Sequence, residues 1–226
     1  MHRLGEGCDF PTNRPPEQTA NIHRVVNMAQ QIILASASEI RAQLLRKAGI
    51  EVDVLPARVD EEMIRAALEA DGAGPREVAD ALAESKALKI SRKNPDALVL
   101  GCDQVAEVDR EILSKPESPE EAIAQLTRLS GQTHRLLSAA VICHEAKPIW
   151  RHVGTVRLTM RELSPDYLAD YVTRNWDSIR WAVGAYKLEE EGVRLFARIE
   201  GDYFNVLGLP LMELISYLIM RKDLKI

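Results

Sequence analysis

Ala97-Leu98-Val99-Leu100-Gly101-Cys102-Asp103-Gln104 is the stretch around which this chain is read: an apolar strand with an acid planted at its end. Carboxylates are seldom buried without a partner, so a charge in that place points to chemistry. Val105 to Leu113 reads as a strand, a polar turn at Asp109-Arg110 and a returning strand. Such a hairpin would carry Lys115, in Lys115-Pro116, back toward Asp103, so that one carboxylate and one ammonium face a common cleft.

Upstream of that strand, Gln31-Ile32-Ile33-Leu34-Ala35 is a short apolar strand, Ser36-Ala37-Ser38 a turn with Ser38 as N-cap, and Glu39 to Ala48 a helix stopped by Gly49. Residues 51 to 55 read as a second strand and Arg76 to Arg92 as a long helix, with Val78, Leu82, Ala83, Leu88 and Ile90 on its apolar side. Downstream, Ser118-Pro119-Glu120-Glu121 is a capping box that opens a helix closed by Gly131. Two strands follow, about 133 to 143 and 147 to 159, then a helix from Ser164-Pro165 to about Arg174. A strand from Val193 to Glu200, a Gly201-Asp202 turn and a helix opened by Pro210 and running to about Arg221 complete the pattern. Strands and helices mix without strict alternation, which predicts a mixed sheet with helices on its faces.

The bulk composition narrows the function classes. A length of 226 residues, with 46% hydrophobic and 28% charged residues, is that of a chain able to bury a substantial core. A net charge of -5 with no basic stripe argues against duplex nucleic acid as a partner. No run of about 18 apolar residues exists, so no membrane partner is expected. Cys8, Cys102 and Cys143 are widely spaced and odd in number, which suits neither a disulfide framework nor a zinc ribbon and fits a reducing cytoplasm. The five histidines show no zinc-ligand spacing. Residues 1 to 28 are polar and proline-rich, and are expected to be a disordered extension ahead of one domain at 29–226, with Met28 as a candidate start.

Several features carry two readings when taken singly. The Ser36-Ala37-Ser38 turn before a helix bearing Arg41 is either an anion site, built from free amides and the helix dipole, or a plain cap beside a solvated arginine. Asp60-Glu61 is either a pair of metal ligands or a solvated acidic pair opening a helix. Trp176, Trp181, Tyr186 and Tyr203 offer either a wall for a base or core packing.

The joint pattern shifts the balance for the turn and the acidic pair, and leaves the aromatic residues unassigned. Leu34-Ala35-Ser36-Ala37-Ser38 with Arg41, Val59-Asp60-Glu61, Lys86 among alanines, Gly101-Cys102-Asp103-Gln104-Val105, Leu113-Ser114-Lys115-Pro116 and Leu129-Ser130-Gly131-Gln132-Thr133-His134 stand in one order. Gly184-Ala185-Tyr186, Glu200-Gly201-Asp202-Tyr203 and Asn205-Val206-Leu207-Gly208-Leu209-Pro210 extend it, and the whole, from about residue 30 to 220, resembles the Maf family. The resemblance implies an α/β fold like that of inosine triphosphate pyrophosphatases, with a long mixed sheet, flanking helices and a deep central cleft. It implies a cytoplasmic nucleoside triphosphate pyrophosphatase that cleaves between the α and β phosphates with a divalent cation, Mg²⁺ or Mn²⁺, in a house-cleaning role, with a homodimer as a further expectation.

By the same resemblance Asp103 is the catalytic carboxylate, expected as general base, and Glu61 and Asp103 are the metal ligands. Ser36, Arg41, Lys86 and Lys115 hold the triphosphate. Three positions bear on the base: Ile40, Gln104 and Glu189. The commonest family pattern has arginine, threonine and glutamine there and goes with thymidine and uridine triphosphates, whereas Asp-Gln with the later glutamate resembles the 7-methyl-GTP subgroup. Glu189 suits the N1–H and exocyclic amine of guanine. Ile40 departs from that subgroup, which carries an aromatic side chain there. The lead substrate is therefore 7-methyl-GTP or another modified nucleotide. The alternatives are a pyrimidine or broad-specificity pyrophosphatase, or a non-catalytic regulator of cell division.

Overall fold

The computed structural model describes residues 30–225, so the expectations for residues 1–28 lie outside the described residues. In chain order the elements are β1 (Ile32–Leu34), α1 (Glu39–Lys47), β2 (Asp53–Val54), α2 (Glu61–Ala70), α3 (Pro75–Ser91), β3 (Leu98–Val108) and β4 (Glu111–Leu113). After these come α4 (Pro119–Leu129), β5 (Thr133–His144), β6 (Lys147–Met160), α5 (Pro165–Ile179), β7 (Phe196–Glu200), α6 (Tyr203–Val206) and α7 (Leu211–Arg221), with short 3₁₀ turns at Val183–Ala185 and Glu191–Leu195.

All strands join one seven-stranded sheet in the order β2-β1-β3-β5-β6-β7, and β4 pairs with β3. β1 runs parallel to both β2 and β3, while every later pairing is antiparallel, so the sheet is mixed as expected. The first half of β3 pairs with β1 and its second half with β4, from Ala106 opposite Leu113 to Val108 opposite Glu111. Between those two partners β3 has one open edge, and Asp103 lies on that interval. The hairpin turn is made by Asp109 and Arg110, both left-handed at φ 53° and 69°. Paired positive φ values are what a two-residue turn between twisted strands requires.

The alternation of β3 sorts its side chains. Val99 and Val105 join an apolar cluster with Ala79, Ala83 and Ala87 of α3, on the face that also carries Gly101 and Asp103. Leu98, Leu100 and Cys102 face the other way, into a cluster with Leu44 and Leu45 of α1 and Leu211, Leu214 and Leu218 of α7. Ala106 and Val108, on this second face, join a third cluster with Leu126 and Leu129 of α4 and Leu168 and Tyr171 of α5. Gln104 therefore falls between two apolar clusters.

Gly101 sets the height of α3. A Cβ built on it would lie 2.1 Å from the Ala83 carbonyl oxygen and 2.7 Å from the Ala87 amide nitrogen, a space only glycine leaves. With Ala79, Ala83 and Ala87 along the contacting face, the helix comes down onto the strand, and Lys86 is carried with it.

Two local expectations change. Ser38 stands at the N-cap of α1, yet its side chain makes no capping bond. The Ser38 amide donates instead to Ser36 Oγ at 3.3 Å, so the turn is organised by Ser36. The box at Ser118 is shifted in one half: Ser118 Oγ accepts from the Glu121 amide, whereas the Glu121 carboxylate accepts from the amide of Glu117. Among the described residues, no helix is long and apolar enough to cross a membrane.

Candidate active site

Lys86, held in a helix that packs tightly on β3, lies between two carboxylates. Its Nζ donates to Asp103 Oδ1 at 2.7 Å and reaches Glu61 Oε1 at 2.8 Å. Asp103 is 6% exposed and Lys86 7%. Glu61 comes from the first turn of α2, where the preceding Asp60 is used as the N-cap and accepts from the Met63 amide at 3.0 Å. The acidic pair therefore divides its labour, with Asp60 capping and Glu61 turned to the site.

Electrostatics follow from burial and pairing. Burial pushes the Asp103 carboxyl above its ordinary value, outweighing the opposing pull of Lys86 and Arg41. Burial alone would lower Lys86, but Asp103 and then Glu61 hold it above its ordinary value, so it stays an ammonium. Glu61, which burial would raise, is kept below its ordinary value by Lys86, with smaller help from Lys115 and Arg41. Among the described residues, Asp103 Oδ2 accepts no hydrogen bond, so one oxygen of a buried carboxylate with raised basicity remains for a ligand.

Arg41 enters from α1, beside the end of β1. Its Nε donates to the Gly208 carbonyl at 2.7 Å and its Nη1 to Ser36 Oγ at 3.1 Å, with the Cys102 carbonyl at 3.5 Å. Ser36, Arg41, Lys86, Asp103 and Glu61 thus surround the open edge of β3. Lys115 follows β4 on an exposed loop anchored through Ser114, whose Oγ accepts from Arg65 at 2.9 Å and whose carbonyl accepts from Gln125 at 3.1 Å. Lys115 is exposed and makes no ion pair among the described residues, and the ammonium bound to Asp103 is that of Lys86, not of Lys115 as the hairpin suggested.

The three base-related positions fare differently. Ile40 is half-buried against the cluster beneath α1. Glu189 is exposed and makes no side-chain hydrogen bond among the described residues. Gln104 is engaged: its Nε2 lies 2.9 Å from Ser138 Oγ, 3.0 Å from the Asn205 carbonyl and 3.0 Å from that of Val206. Carbonyls only accept, so the amide nitrogen must face them, and Oε1 is all that Gln104 has left for a ligand.

Sequence reading assigned no role to Ser138, Asn205 or Gly208. The signal available was Gly208 itself, which sits at φ +88° where L residues are strained. His134 supports structure: its Nε2 lies 2.6 Å from the buried Tyr186 hydroxyl. Trp176 packs against the core, while Trp181 and Tyr203 are exposed. Cys102 and Cys143 are free and buried. No group of three or more His, Cys, Asp or Glu side chains gathers among the described residues.

Comparison with known proteins bears on the same span. The family model described as Maf-like protein matches residues 31–220. A nucleoside triphosphate pyrophosphatase of Roseobacter denitrificans is 62% identical over 197 residues, covering 87% of this chain and 99% of the relative. Another, from Sphingopyxis alaskensis, is 49% identical over 83% of this chain and 95% of the relative. A protein of Brucella abortus named 7-methyl-GTP pyrophosphatase is 44% identical over 86% of this chain and 98% of the relative.

Proposed function

Since the chain belongs to the Maf family, we propose that Asp103 activates water for attack on the α–β anhydride of a guanine-type nucleoside triphosphate, yielding the monophosphate and pyrophosphate. The protein is a nucleoside triphosphate pyrophosphatase, the activity named for relatives up to 62% identical to it over almost their full length. One observation carries the mechanism: a buried carboxylate keeps Oδ2 free while Lys86 holds Oδ1. A group so placed can orient a water and take its proton, and its raised basicity suits that task.

Arg41 offers a guanidinium oriented by Gly208 and Ser36, and Lys86 and Lys115 add ammonium charge for the phosphates. Glu61 and Asp103, both within 2.8 Å of one Nζ, converge closely enough to serve one hard cation. Mg²⁺ or Mn²⁺ suits that donor set, because such ions accept two carboxylates and take their remaining oxygens from water and substrate phosphates. When bound, the ion would neutralise charge on the phosphates. Free, buried cysteines support a reducing cytoplasm as the compartment.

For the base, Gln104 retains only an acceptor, and Glu189 adds the acceptors of an exposed carboxylate. An acceptor set complements the N1–H and amine of guanine better than the mixed edge of uracil or thymine. This supports 7-methyl-GTP or a related guanine nucleotide, the substrate named for relatives at 44% identity. Pyrophosphate release measured over a nucleotide panel with Mg²⁺ or Mn²⁺ tests the reading. Guanine nucleotides should lead, and Glu189→Gln should erode that lead. Release from pyrimidine triphosphates alone would overturn the base assignment, and no release from any nucleotide would overturn the activity.

A further inference from the structure

Gln104 lies on the face of β3 opposite Asp103, yet it is joined to the phosphate end of the site by a continuous set of hydrogen bonds. Cross-strand from it stands Ser138 of β5, in register. These two polar side chains sit between the apolar clusters of that face and together grip the backbone of α6. Gln104 Nε2 contacts the Asn205 and Val206 carbonyls, and Ser138 Oγ donates to the Asn205 carbonyl at 2.6 Å. Asn205 is fixed from its other side as well. Asp202 accepts from its amide and from Nδ2, each at 3.0 Å, and a Cβ on Gly154 would lie 1.9 Å from Asn205 Oδ1.

Two residues beyond Val206, the Gly208 carbonyl receives Arg41 Nε at 2.7 Å. Gly208 is left-handed at φ +88°, and a Cβ on it would come within 2.9 Å of Arg41 Nη2. The guanidinium therefore rests directly on this peptide and has its remaining contacts at Ser36 and Cys102. A peptide whose neighbours are clamped at three points holds its carbonyl in one place, and a guanidinium bound to that carbonyl inherits the placement.

We propose that residues 205–208 form a strap that positions Arg41, and that Gln104 is the positioning residue that fastens it, so that Gln104 governs triphosphate binding as well as the choice of base. The proposal deepens the phosphate-binding role of Arg41 given above and rests on it. A contact with the base alone would make Gln104 matter only for substrates that possess a base. A strap makes it matter for the bare phosphate chain too.

Gln104→Met keeps the length and removes the donors, and Ser138→Ala is a milder variant that loosens the same clamp. Inorganic triphosphate, which has no base, is the binding probe. Both variants should weaken its binding, Gln104→Met by about tenfold, the effect of losing one or two buried hydrogen bonds. The Arg41 Nε–H resonance in the ¹⁵N NMR spectrum of the ligand-free protein should shift or broaden in both, while the β-strand resonances stay in place. Unchanged triphosphate affinity together with an unchanged Arg41 resonance in either folded variant would overturn the strap. The Arg41 resonance decides the point even for a protein that splits no nucleotide, which separates failure of the strap from failure of the proposed activity.

Discussion

Asp103 and Lys86 form a pair that neither could form alone. A buried carboxylate without its ammonium is costly, and so is the reverse, so removing one partner leaves an uncompensated charge. Lys86→Met should therefore lower stability by about 3 kcal/mol, read as a fall in the urea midpoint at neutral pH. Asp103→Asn tests a different property. It keeps the shape and a hydrogen-bonding group beside Lys86 but cannot accept the proton of a water, so turnover should fall by roughly 10² to 10⁴ while nucleotide affinity changes little. Wild-type turnover in that variant would remove Asp103 from the chemistry. Asp103 was legible from residue order, because an acid at the end of an apolar strand is unusual, whereas Lys86 was legible only through the family resemblance, and its pairing with Asp103 only in the fold. What the order of residues left open at Asp60-Glu61 was the division of roles. That depended on where the first turn of α2 begins, since the N-cap uses one carboxylate and frees the next.

At the scale of elements, the contact of α3 with β3 through Gly101 is what brings Lys86 over the site. Gly101→Ala places a methyl against the Ala83 carbonyl and should lift or tilt the helix. The expected outcome is a loss of about 2 kcal/mol in stability and a fall in activity larger than that loss explains, measured by denaturation and turnover on the same sample. Helix boundaries show where local signals ran out. The helix read as ending near Arg174 continues to Ile179, through Asn175, Asp177 and Ser178, which favour turns. Tertiary bonds hold them, with Asn175 reaching Glu191 and Ser178 reaching Glu190 at 2.9 Å. In the same way the strand read from Val193 begins only at Phe196, because residues 191–195 form a 3₁₀ turn. The helix at 61–70 buries none of its residues, although Met63, Ile64, Ala67 and Leu68 recur at helical spacing, and Met63 stays exposed.

For the molecule as a whole, the third apolar cluster contains a pH-sensitive joint. His134 on β5 is 1% exposed and bonded to Tyr186, next to the 3₁₀ turn that leads toward Glu189. Burial pushes its imidazole down from 6.5 to about 4. Between those values the unfolded chain binds a proton that the folded chain refuses, so stability is full above pH 6.5 and is lost as pH falls toward 4. The unfolding free energy should drop by about 2 kcal/mol from pH 7 to pH 5, and His134→Gln should flatten that slope. An equal slope in the variant would assign the effect to carboxylates instead.

Sequence alone determined the class of this protein. The apolar run ending in Asp103, the hairpin after it, the capped helices and the order of charged motifs are local features, written in periodicity and in turn chemistry. They sufficed for a mixed sheet flanked by helices and for membership of the family. Only the tertiary structure decided what the individual groups are free to do. It committed the amide of Gln104 to the 205–208 backbone, left Oδ2 of Asp103 open and set Arg41 on the carbonyl of Gly208. These outcomes join residues up to 167 positions apart in the chain. No local propensity encodes such pairings, because a hydrogen-bonding group is satisfied by whichever partner packing brings within reach.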